Sequence, residues 1–164
     1  IVEFLPGIAR WLHIMAGITW VGLLYYFNLV QLPALKDAAA DGTALGITKH
    51  IVPRALLWFR WASLAAWVAG AWLLGKGFVA AFLLRDNYAG IGVGAWLGTI
   101  MLFNVWHLIW PNQKKILGIK PASDAERVKA RRIAFLASRT NMMLSIPMLF
   151  FMANGLSHRA IVGL

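Results

Sequence analysis

The stretch IARWLHIMAGITWVGLLYYFNLVQL, residues 8–32, decides the fold. It contains one Arg, one His and no acidic side chain. A helix rising about 1.5 Å per residue needs about 20 apolar residues to cross a hydrocarbon core of about 30 Å. Strict apolar/polar alternation is absent, which argues against a strand. A helix also satisfies its own backbone groups, as lipid requires. Three further stretches meet the same criterion, at about residues 55–74, 88–110 and 136–156. The expected fold is all-α: an integral membrane four-helix bundle forming a single transmembrane domain over residues 1–164.

Composition agrees. The chain is 60% hydrophobic and 13% charged, with nine Trp and nine Phe, whereas soluble domains carry about 25% charged residues. A soluble fold of 164 residues has too much surface for its volume to hide that apolar load. The net charge of +10 would suit nucleic acid, but the charges lie between apolar spans, as cytoplasmic loops of membrane proteins do. The expected partners are therefore the lipid bilayer and other membrane subunits, with no nucleic acid. The absence of Cys excludes disulfides, thiolate metal sites and covalent haem attachment.

The connections carry turn chemistry. Pro33 is expected to end the first span, Asp41-Gly42 to turn the chain, Pro53 to open the second helix and Pro111-Asn112 to close the third. Gly75-Lys76-Gly77 follows the second span. Ser123-Asp124-Ala125-Glu126 reads as a capping box opening a helix that runs into the fourth span. Pro147, in mid-span, is expected to kink that helix near Met143 and Leu144. Four Lys or Arg (Arg10, Lys76, Arg85 and Arg159) fall on the face with both termini, and the other twelve on the opposite face. That split places the basic linker 111–135 in the cytoplasm and both termini outside.

Polar residues are costly in a membrane and mark candidate sites. One layer holds Arg10 and His13 on the first helix with Met152, Asn154, His158 and Arg159 on the fourth. His13 lies about 8 Å into its span, and Gly17 follows it on the same helix face. An imidazole above a gap in the side-chain surface suits a porphyrin lying against the helix, with His158 or Met152 as the opposite ligand. Haem b is the expected cofactor, held by His13, His107 and His158 as candidate metal ligands.

The second layer gathers Asn28, His50, Arg54, Arg60, Asn104, His107, Asn141 and Arg139. Two readings stand: an interhelical hydrogen-bond network, or a second cofactor or substrate site in which His50 or His107 is a ligand and Arg54, Arg60 or Arg139 meets carboxylates, Arg10, Arg54 and Arg139 being the candidate partners of haem propionates. For His50 and His158 the plain alternative is a solvated loop histidine. Gly90, Gly94 and Gly98 recur every four residues and read first as helix packing, second as a groove for a flat cofactor. The methionines, which would suit Cu(I), read instead as apolar filler. No H-E-x-x-H, P-loop or G-x-S-x-G pattern occurs.

Several stretches resemble the membrane part of the bacterial membrane-bound urate hydroxylase family. They are Trp11-Leu12-His13 through Gly17, Trp20, Gly22 and Tyr26-Phe27; Phe103-Asn104-Val105-Trp106 continuing to Ile109-Trp110-Pro111-Asn112-Gln113-Lys114; and Ala134-Phe135-Leu136-Ala137-Ser138-Arg139-Thr140-Asn141 leading to Ser145-Ile146-Pro147-Met148. The resemblance implies a haem-associated redox domain in the inner (cytoplasmic) membrane of a bacterium, multi-pass. More distantly, the first helix is similar to small four-helix haem proteins of the protoporphyrinogen oxidase and copper-resistance membrane types, where a histidine matching His13 is a haem-ligand candidate. Family members with urate activity have a longer membrane domain and a C-terminal cytochrome c domain, so a shortened relative serving as a subunit is expected. The expected function is b-type haem binding for electron transfer within a larger respiratory or oxidase complex. The alternatives are a cofactor-free accessory subunit and a urate-hydroxylase-like oxidoreductase.

Overall fold

The computed structural model describes residues 5–154, and no strand occurs among them. Four helices, the first to the fourth in chain order, are long and apolar enough to cross a membrane: Leu5–Ala40, Ala44–Phe82, Ala89–Ile116 and Asp124–Asn154. His158 and Arg159 lie outside the described residues.

The helices run further than proline punctuation predicts. Pro33 does not end the first helix, Pro53 does not begin the second, and Pro111 does not close the third. The physical reason is the same each time. A proline has no N–H to donate, and its ring collides with the carbonyl four residues back. In each case that carbonyl, on Leu29, Lys49 or His107, belongs to a wider π-helical turn: Tyr26–Gln31, Ile47–Ile51 or Asn104–Ile109. Each wide turn leads directly into the α-helical segment whose first turn carries the proline. Pro147 has no such turn, and Asp124–Asn154 runs as a single α-helix through it.

Other signals hold. The first two helices are joined at Asp41-Gly42, with Gly42 at φ +72°. The regular part of the second helix ends at Leu74, where Gly75 takes φ +47°, and a short helix Phe78–Phe82 then folds back toward the third. Its Ala81 carbonyl occupies the place a Cβ on Gly92 would need. The capping box forms: Ser123 N–H donates to Glu126 Oε2 at 2.9 Å, and Glu126 N–H to Ser123 Oγ at 3.3 Å.

The first helix packs chiefly on the second, and the third on the fourth. Ala62, Ala66 and Ala69 are buried on the second helix, and such small side chains let helix backbones approach. The central core is Leu24, Phe59, Met101 and Val105, with Phe27 meeting Phe59 edge-on at 5.3 Å. Large apolar side chains such as Ile18 and Trp58 remain outside, as lipid-facing positions of a multi-pass membrane protein would.

Candidate functional site

The chemistry-bearing residues separate by depth. In the half of the bundle containing the start of the first helix, a cavity of about 780 Å³ lies between all four helices. That volume is within the range of about 300–1,000 Å³ typical of cofactor and small-molecule sites. Arg10, His13, Gly17 and Met152 all line it, joining four of the residues singled out in the sequence.

The second helix sets the orientation of His13. Its Nδ1 lies 2.8 Å from the carbonyl oxygen of Ala66. A carbonyl only accepts, so this contact is a hydrogen bond when the proton sits on Nδ1. In that neutral tautomer Nε2 holds the lone pair, the state needed to bind a metal. Hydrogen bonding at the other ring nitrogen also fixes a ligating imidazole and raises its basicity.

Small residues carve the space. A Cβ added at Gly17 or Gly98 would meet nothing within 4 Å, although Gly98 is buried. Gly94 differs: its Cβ would lie 3.3 Å from Met152 Cε. The glycine stripe therefore serves both purposes, packing at Gly94 and opening space at Gly98. The walls are aromatic and apolar. Trp67 turns its indole N–H to Thr99 Oγ1 at 2.9 Å, satisfying its polar edge. Phe78 and Phe82, 4.6 Å apart on the short helix, contribute to the lining. Trp20 also lies on the wall, and its buried indole nitrogen has no protein acceptor among the described residues.

On one side the cavity wall is thin. Ile14 and Leu149 line it yet are 51% and 43% exposed. Deeper in the bundle, the first and fourth helices are tied by Tyr25–Ser145 at 3.0 Å and Asn28–Ser138 at 2.9 Å.

The second layer resolves into hydrogen bonds. Asn104 donates to Asn141 Oδ1 at 2.8 Å, and Asn141 donates to the Met101 carbonyl at 3.0 Å. The remaining candidates are not gathered with them. His107 is exposed and stacks on Phe103, ring centroids 4.4 Å apart. His50 and Arg54 are exposed, and Arg54 Nη1 donates to the His50 carbonyl at 2.6 Å. Arg139 lies over the Phe135 ring. None of these lines the cavity. His50, His107, Arg54 and Arg139 are all exposed at the surface of the bundle. Among the described residues no three His, Asp or Glu cluster as a metal site.

Sequence reasoning passed over Ala66, Trp67 and Gly70, all in the second span. The available signal was Ala66-x-x-x-Gly70, a pair of small residues one turn apart that permits close approach.

No curated protein and no solved structure matches the chain. A family model described as urate oxidase N-terminal matches residues 75–160, which include the third and fourth helices and the short helix before them. That match spans just over half of the chain, and the chain belongs to the urate oxidase N-terminal family.

Proposed function

We propose that this chain is a b-type haem-binding membrane subunit that passes electrons within a larger respiratory or oxidase complex. The observation that carries the reading is His13: its Nδ1–H is held by the Ala66 carbonyl, and its ring lines a cavity of about 780 Å³. The residues present suit the group. Gly17 and Gly98 leave the space that side chains would fill, the walls are apolar, and a haem needs only one or two axial ligands rather than a three-residue cluster.

Each residue then has a role. His13 offers Nε2 to the metal. Arg10, exposed yet part of the lining, would pair with a propionate. Met152 shares the cavity and would offer a thioether; His158, the other candidate ligand, lies outside the described residues. Trp67, Phe78 and Phe82 would cover the apolar faces of the group. Haem, when bound, supplies one-electron transfer.

The arrangement of Lys and Arg supports both termini outside and the basic linker in the cytoplasm, and the inner membrane of a bacterium is the proposed location. A part in urate oxidation, as in the membrane-bound urate hydroxylases, is the second reading, favoured by family membership.

The test is haem content by pyridine haemochrome on the purified wild type and on His13→Ala. About one haem per wild-type chain and near-complete loss in the variant is expected. Equal haem in both samples refutes the role of His13.

A further inference from the structure

We infer that Gly70 is a positioning residue: the missing side chain there lets the second helix dictate which nitrogen of His13 faces the cavity. A Cβ built on Gly70 would lie 2.9 Å from His13 Cε1 and 3.1 Å from Nδ1. The imidazole therefore lies in the notch that glycine leaves, one helical turn from the carbonyl it bonds. Real Cβ atoms essentially never approach a heavy atom under 3.0 Å. Any side chain at Gly70 must push the ring away.

The neighbour that would yield is the ring, since Gly70 is fixed by its own helix. Moving the ring by the few tenths of an ångström that clears the Cβ stretches or bends the 2.8 Å contact with the Ala66 carbonyl. The acceptor then holds the Nδ1 proton less firmly, and the other neutral tautomer gains population. In that tautomer Nε2 carries hydrogen and has no lone pair for a metal. Ala66 and Gly70 thus act as a unit, one supplying the acceptor and the other the room to reach it. The same glycine pattern elsewhere does not do this: the Cβ position of Gly17 is open, and that of Gly94 abuts Met152.

Toward a metal, the consequence rests on the haem reading. Loss of an outer hydrogen-bonding partner of a ligating histidine typically weakens metal affinity about 10–100-fold. The histidine also becomes a weaker donor. Toward the protein itself, the consequence does not need haem.

The experiment uses the full chain in nanodiscs, wild type and Gly70→Ala, with ¹⁵N NMR of the histidines assigned through His13→Gln. In the haem-free wild type, His13 is expected as a single tautomer protonated at Nδ1, and Gly70→Ala as a mixture. A wild type protonated at Nε2, or a variant with the wild-type tautomer, overturns the inference. If Gly70→Ala does not fold, a wild-type His13 protonated at Nε2 still overturns the inference. Haem titration comes second, with about 10-fold or greater weakening expected in the variant. Equal haem affinity in the two also overturns the inference. A wild type that takes up no haem defeats the haem reading instead, and the tautomer populations alone then decide the role of Gly70.

Discussion

At the residue scale, four residues that the sequence grouped around His13 line one cavity: Arg10, His13, Gly17 and Met152. Depth is legible because each residue of a spanning helix advances it by about 1.5 Å. Direction around the axis is harder. His107 has a promising depth, but it lies inside the wide turn Asn104–Ile109. An extra residue in a turn rotates every later side chain by about 100° relative to a regular helix, so the expected face is lost. The ring ends up outside, stacked on Phe103. Two substitutions separate these positions. Gly98→Leu places a branched side chain where a Cβ meets nothing within 4 Å. Haem content should fall at least about 10-fold, since a cavity filled by protein excludes the ring, while the melting temperature is held or raised. His107→Phe, at an exposed site, should leave haem content unchanged and stability within about 0.5 kcal/mol. Haemochrome assay and thermal melting of both variants check the pair; loss of haem from His107→Phe would restore a ligand role for that residue.

At the element scale, the polar residues of the inner layer stabilise contact between helices. Asn104 and Asn141 join the third helix to the fourth, and Asn141 is fully buried. Replacing Asn141 by Leu removes both its bonds and leaves the Asn104 amide without its acceptor. Interhelical hydrogen bonds in membranes are worth about 0.6 kcal/mol on average; an orphaned buried partner adds about 1–3 kcal/mol. A loss of about 1–3 kcal/mol is expected in a denaturation titration of the detergent-solubilised chain. The double variant Asn104→Leu, Asn141→Leu should recover part of it, because neither partner is then left unmade. The helices themselves were legible from apolar length and the capping box at Ser123–Glu126. Their ends were not. Pro33 and Pro111 read as stops and Pro53 as a start, yet a wide turn one step earlier moves the obstructed carbonyl and lets the helix run through all three.

At the scale of the whole molecule, the first and fourth helices hold together deep in the bundle through Tyr25–Ser145 and Asn28–Ser138 and border the cavity nearer the other end. Buried polar contacts fix one half of the bundle, while Gly17, Gly70 and Gly98 open the other. The second helix completes the site with a carbonyl and a glycine, features that composition and hydropathy do not record. An interhelical cavity presenting an imidazole lone pair, with apolar walls, is therefore the centre of the functional account. It is tested most directly by the reduced-minus-oxidised absorption spectrum of the purified, folded chain after hemin titration in nanodiscs. The account predicts Soret and α bands that saturate at one haem per chain. A folded chain that shows no such bands at any hemin ratio would contradict it.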